Sequence, residues 1–424
     1  MIVEQIRKCR VCGNTNLETV LDLGEMALTG VFPTADEPDP PAAPLVLVKC
    51  KGEGDNHACG LVQLLHTVSR DDMYSGNKYG YRSGINQSMR SHLSDLAHRA
   101  EVMAGLQPGD SVLDIGSNDA TLLKSYAASG IKKTGIDPTG TQFKQYYTDD
   151  IRLIEDYFSA DAAEALISGG CKPKVITSIA MFYDLDDPVG FARDVKRVLH
   201  PEGVWVMEQS YMPEMLRMNS FDTICHEHLE YYALKQICWI LAAAGLKVLD
   251  VEFNSANGGS FRVYITHTES SRRPNEDKLS AIARSESEMG LDTSRALMKF
   301  AGRVNDISLN LRQILEKAKS DGKVTLGYGA STKGNVTLQY CGIDTRLMDA
   351  IADRNPAKLG CRTPGTNIPI ISEQDAREKK PDYFLVLPWH FMSEFYSRES
   401  QFLSRGGRFI IPCPVPRISA SPDD

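Results

Sequence analysis

Apolar positions in this chain fall into two rhythms. From Asp110 onward, short apolar runs (SVLDIG, KTGIDP, KVITSIAMF, VWVMEQS) alternate with stretches of helical spacing such as LLKSYAASG and FARDVKRVLH. Strand–helix alternation predicts a parallel sheet covered on both faces. Residues 275–320 read as mostly helical: Leu297, Phe300, Val304, Ile307, Leu311 and Ile314 recur at three- and four-residue intervals, with Gly322 placed to end the helix. The strand–helix pattern then returns in VTLGYGASTKGN, LMDAIADRNP, YFLVLPWHF and GGRFIIPCPVP. A helix-like segment, Gln87 to Leu106, precedes the first unit, behind a Tyr/Gly stretch, MYSGNKYGYRSG.

The first 68 residues differ. CRVCGN, a Pro-rich loop (PTADEPDPPAAP) and a strand-like LVLVKC hold too little apolar material for a core of their own, so a staple is expected. No repeat of solenoid period is evident. The organisation expected is α/β throughout: a small module over 1–68, a Rossmann-like domain over 69–267 and a second Rossmann-like domain over 268–424.

Composition sharpens this. Hydrophobic content of 42% and charged content of 24% are those of an ordinary globular protein, and 424 residues suit two or three domains. A net charge of −8 argues against a sequence-independent nucleic-acid binder. MIVEQIRKCR lacks the apolar core of a signal peptide and no run could span a bilayer, so a cytoplasmic protein with no membrane partner and reduced cysteines is expected.

Of ten cysteines, Cys9, Cys12, Cys50 and Cys59 fall in the first sixty residues. Cys9 and Cys12 form the short knuckle that lets two thiolates meet one tetrahedral zinc ion; Cys50 and Cys59 would complete it, with His57 a rival fourth ligand. A closed four-thiolate site would be structural.

In SVLDIGSNDATLL a strand ends at Asp114 and Gly116, and Ser117, Asn118 and Asp119 open a helix. Backbone N–H groups of such a turn can meet a ligand's carboxylate or hydroxyls. The next strand ends at Asp137-Pro138, where an acid can take two ribose hydroxyls. Gly-x-Gly-x-x-Gly is missing, so a cofactor without a pyrophosphate fits better. The turn resembles that of the class I methyltransferases, which implies S-adenosylmethionine, with Asp156 and Tyr157 near the adenine and Ala180 and Met181 at the cofactor's edge.

FDTICHEHLEYY (221–232) packs two histidines and two acids into the five residues after Cys225. His226 and Glu230 could chelate, but no third ligand is near, so a metal is not expected. Methyl transfer to carbon needs a carbanion, and a histidine beside a carboxylate is suited to removing a C–H proton. The plain alternative has the histidines capping a helix while Tyr231 and Tyr232 pack. Gly327 to Asn335 form a Gly-rich turn holding Lys333, able to present N–H groups and a cation to a diphosphate, or else a purely structural turn.

FDTICHEHLEYY, DIGSNDATLL, CGLVQL, NGGSFR, GYGASTKGN, DRNPAKLG, PGTNIPI and GGRFIIP together resemble the C-methyltransferases of nucleotide-linked (dTDP-type) keto-deoxyhexoses, over nearly the whole chain and in order. The resemblance implies an N-terminal zinc-binding domain, a central S-adenosylmethionine domain and a C-terminal domain, with the nucleotide-sugar between the last two. It also implies His228 as base with Glu227 as its partner. The chain departs at Cys225, where a tyrosine is usual, and at Phe182-Tyr183-Asp184, where Phe-Ala-His is usual. Tyr79, Tyr81 and Tyr183 are then the candidates to supply a phenol at the ketone. Asn257, Gly259, Ser260 and Arg262, with Tyr328, Lys333 and Asn335, are expected on the substrate side, Asn257 standing where a histidine is common; Trp389-His390 is a further candidate. Methyl transfer to oxygen or nitrogen, and a non-catalytic nucleotide-sugar-binding protein, are the alternatives. A monomer or homodimer is expected.

Overall fold

The structure, a computed structural model, describes residues 3–52, 58–69, 81–162, 172–422 and 424. Among them, seven strands form the central sheet, in the order Leu246–Asn254, Ser260–His267, Val204–Ser210, Val175–Ile179, Ser111–Ile115, Lys132–Ile136, Ile151–Ile154. Five of these run parallel to one another, and Ser260–His267 runs antiparallel to both of its neighbours. The chain starts in the middle, moves out to one edge and returns to the other side. It therefore leaves a switch point between Ser111–Ile115 and Val175–Ile179, where open α/β sheets bind ligands.

The C-terminal sheet repeats the device. Its order is Ile370–Ser372, Ile351–Asp353, Thr325–Tyr328, Tyr383–Val386, Arg408–Ile411, with Arg417–Ser419 antiparallel at the edge. Its switch point lies between Thr325–Tyr328 and Tyr383–Val386. Helix Arg295–Ser320 buries Leu297, Phe300, Val304, Ile307 and Leu311 as the spacing predicts, then Leu315 and Ala318; Ile314 is only partly covered. Gly322, at φ +72°, closes it as Lys323 N–H reaches back to Ala318 O.

One predicted helix is much shorter. After Asp114 the helix is a single turn, Thr121–Lys124, because the Glu101 carboxylate takes the N–H groups of Ala127 and Ala128 at 2.6 and 2.7 Å and turns the chain away.

The N-terminal strands Leu17–Ala27, Ala42–Cys50 and Val62–Leu64 form an antiparallel sheet whose fourth strand, Glu230–Tyr231, comes from the middle of the chain. Its apolar residues join one core with those of the other two sheets. A segment too poor in apolar residues to fold alone is covered by its neighbours.

Candidate active site

The sulfurs of Cys9, Cys12, Cys50 and Cys59 all lie within 4.8 Å of one another. Cys9 to Cys59 and Cys12 to Cys50 are each 3.5 Å, far beyond a disulfide bond. Four thiolates around zinc at about 2.3 Å form a tetrahedron with edges of about 3.8 Å, so the donor set fits that ion and leaves no open position. His57 lies outside the described residues.

A cavity of about 700 Å³ lies where the two switch points face each other. On its central side, Gly116 (φ +75°) and Asn118 (φ +50°) make the tight turn after Ser111–Ile115. Asp137 ties this turn down: Oδ2 accepts from Asn118 N–H at 2.7 Å, and Oδ1 from the Thr139 N–H and hydroxyl at 2.7 and 2.6 Å. Each carboxylate oxygen can accept more than one bond, so capacity for a diol remains. Asp114, beneath the turn, accepts from Thr177 Oγ1 at 2.6 Å, and burial pushes its carboxyl up to about 7. The Asn118 side chain clips the neighbouring loop, accepting from Ser83 N–H and donating to Tyr81 O. Ser117 bonds Tyr147. Pro138, Tyr157, Ala180 and Met181 also line the cavity. Asp156 does not: it is exposed, its carboxylate folded back on Tyr157 N–H. The turn, Asp137 and the apolar walls form a room that fits the adenosyl group of S-adenosylmethionine.

The 221–232 stretch is no helix start. It is one helical turn, Phe221–Thr223, a tight turn at His226-Glu227 closed by His228 N–H on Cys225 O at 3.1 Å, and the strand Glu230–Tyr231. Its polar side chains scatter to different partners. Asp222 accepts from Trp389 Nε1 at 2.9 Å, His226 Nε2 donates to Ala43 O at 3.0 Å, and Glu230 lies 3.8 Å from Arg10. Glu227 and His228 face the cavity.

His228 Nδ1 lies 2.7 Å from Thr223 O. A carbonyl only accepts, so Nδ1 carries the proton and Nε2 keeps its lone pair. Burial first, and the charge of Lys333 second, push the imidazole down to about 3, so it is neutral at physiological pH. Tyr183 packs its ring 4.3 Å from the imidazole. Burial raises the Glu227 carboxyl, although a hydrogen bond with the Cys225 thiol works the other way. Glu227 Oε2 meets no hydrogen-bond partner among the described residues. Cys225, Asp184 and Tyr81 also line the cavity, and Tyr79 lies outside the described residues.

On the C-terminal side, Lys333 opens helix Thr332–Tyr340, and its Nζ donates to Asn257 O at 3.2 Å. Asn257 (φ +54°), Ser260, Lys358 and His390 line the same wall. Other expected substrate residues point elsewhere. Arg262 is spent inside the sheet on Glu208 at 2.8 Å and Asp95 at 3.2 Å. Gly259 is a turn against Glu214, where a Cβ would lie 2.2 Å from Cγ. Asn335 is fully buried and donates to Thr29 O at 2.7 Å. Tyr328 borders the cavity, but its hydroxyl donates to Glu399 at 2.7 Å and receives from Arg398 at 2.9 Å. Trp389 is bonded to Asp222, which leaves His390 as the cavity member of that pair.

Glu208 and Gln209 are among the cavity groups that escaped the sequence reading. Glu208 is held by His92, Arg262 and Asn254. Beside it, Gln209 is buried with neither amide atom bonded among the described residues. Two polar residues closing the apolar strand VWVMEQS were the available signal. Gly30, Val31 and Phe32, from the N-terminal module, also reach the cavity with no local mark.

Comparisons with known proteins agree with this layout. A zinc binding domain model matches residues 9–74, a methyltransferase domain model 85–251, and a C-methyltransferase C-terminal domain model 255–414. C-methyltransferase NovU of Streptomyces niveus is 30% identical over 422 residues, spanning 98% of each chain. The chain belongs to the C-methyltransferase family. It is an S-adenosylmethionine-dependent C-methyltransferase with a zinc-binding N-terminal module. Two solved methyltransferase structures overlap part of this C-methyltransferase. The mitomycin 7-O-methyltransferase MmcR shares 14% identity over 42% of this chain and 54% of its own, at TM-score 0.34. The O-methyltransferase NcsB1 from neocarzinostatin biosynthesis shares 16% over 45% and 62%, at TM-score 0.31. Among the described residues no helix of this C-methyltransferase is long and apolar enough to cross a membrane.

Proposed function

We propose that this C-methyltransferase methylates a carbon next to the ketone of a nucleotide-linked keto-deoxysugar, with His228 as the base. The observation that carries this reading is the fixed tautomer of His228, whose bare Nε2 stands in a cavity bordered by both switch points. A ketone acidifies the neighbouring C–H. Nε2 takes that proton, the C–H pair becomes the enolate, and Thr223 O steadies the imidazolium through Nδ1–H. Bound S-adenosylmethionine would supply an electrophilic methyl group, held at the turn of Gly116 to Asn118 and at Asp137. Glu227, its carboxyl raised by burial, would hold or relay the proton. Tyr81 and Tyr183, both lining the cavity, would steady the enolate oxygen. Lys333, with Lys358 and His390, would meet the diphosphate. An anion there offsets the cation that helps depress His228, so the base strengthens once substrate is bound.

The test supplies labelled S-adenosylmethionine and a panel of nucleotide-linked 4-keto-6-deoxyhexoses, and separately follows deuterium entering the sugar from solvent without cofactor. Label on carbon and deuterium exchange, both lost in His228→Ala, are expected. Label on oxygen or nitrogen would overturn the reading, as would exchange that survives the substitution.

A further inference from the structure

The segment 27–34 of the zinc-binding module is fastened to the C-terminal domain along its length. Ala27 exchanges two hydrogen bonds with the Gln339 side chain, at 2.8 and 3.1 Å. Asn335 donates to Thr29 O at 2.7 Å and Arg362 N–H to Pro33 O at 2.8 Å, while Thr34 bridges Cys361. Lys358 Nζ stands 4.3 Å over the Phe32 ring. Between these anchors, Gly30 to Phe32 face the cavity.

Gly30 itself is packed against the other side of the site. A Cβ there would lie 2.2 Å from Glu227 Oε1 and 3.4 Å from its Cδ. Gly30 is absent from the glycines of positive φ, so it is needed for room and not for its backbone conformation. Glu227 Oε1 is thus pressed against bare backbone of another module, while Oε2 is buried without a partner among the described residues. We infer that Gly30 is a positioning residue: the fastened 27–34 segment is a rigid wall of the active site, and the missing side chain at Gly30 sets where the Glu227 carboxylate stands. The inference rests on the catalytic part assigned to Glu227 above.

An alanine at this position meets the tip of a flexible side chain, so the carboxylate yields and the backbone does not. Gly30→Ala should fold, bind zinc and melt as the parent does. Turnover of a dTDP-linked 4-keto-6-deoxyhexose should fall roughly ten- to a hundredfold, the scale of an ångström of misplacement, with KM little changed. Glu227→Asp is slow on its own, but its shorter side chain vacates the space a methyl would fill. Gly30→Ala/Glu227→Asp should therefore be no slower than Glu227→Asp. A Gly30→Ala enzyme at parental rate overturns the inference. So do losses that multiply in the double variant, or a Gly30→Ala chain that fails to fold. Glu227→Gln separates the two layers: a parental rate there removes the part given to Glu227 itself. A slow Glu227→Gln beside a parental Gly30→Ala removes only the part given to Gly30.

Discussion

Gln209 combines deep burial with an amide that bonds to nothing among the described residues, and it does so on the cavity wall. An unmatched buried amide costs about 1–3 kcal/mol, so Gln209→Leu should raise the urea midpoint of the ligand-free protein. The same change should weaken binding of whichever ligand group the amide receives. Urea denaturation and calorimetric titration with S-adenosylmethionine and with a dTDP-linked keto-sugar would read both effects. A variant that is less stable and binds normally would show that the amide is satisfied in solution. The crowding of histidines and acids marked the stretch 221–232 in the sequence, and the family resemblance singled out Glu227 and His228, both of which line the cavity. Gln209 and Gly30 could not be found in this way: one matters for what it lacks, the other for what stands opposite it, and neither property exists before the modules meet.

The segment 221–232 shows what sequence patterning sees and what it misses. Its density of polar groups was plain, but the resolution of that density is tertiary: Asp222 to the C-terminal domain, His226 and Glu230 to the N-terminal module, and Glu227 and His228 to the cavity. The stripe along Arg295–Ser320 was legible because a helix repeats its own pattern, whereas the single turn Thr121–Lys124 was cut short by a carboxylate twenty residues upstream, Glu101. His226→Ala removes a buried hydrogen bond and the packing of the imidazole, which should cost about 1–3 kcal/mol of stability in urea. Because His226 does not border the cavity, turnover by the folded fraction should hold near the parental value. A large loss of turnover without a loss of stability would mean that the residue acts in the chemistry.

Across the whole molecule, buried histidines set the response to acid. Burial pushes His228 and His390 down to about 3, from an ordinary value of 6.5. The unfolded chain takes up protons below pH 6.5 that the native protein refuses, so these groups lower stability as pH falls from about 6.5 toward 3. Asp114, pushed up to about 7 from 3.8, acts in the opposite sense, favouring the native state at low pH and losing that contribution as pH rises through about 7. Glu227, Asp222 and Glu286, whose carboxyls burial also raises, act in the same sense as Asp114. The stability lost between pH 8 and pH 5, read as the gap between urea midpoints, should be smaller in His390→Gln than in the parent. Equal gaps in parent and variant would place the acid sensitivity elsewhere.

The wall that joins Gly30 to His390 also bears on how the enzyme comes into being. Its cavity is bordered by groups from near both ends of the chain, and a strand from the middle completes the N-terminal sheet. While the ribosome is still threading out the later residues, the cofactor turn can be in place but the vessel around it is open. A nascent or prematurely terminated polypeptide should consequently be inert, so that unfinished chains would not scatter methyl groups onto bystander metabolites.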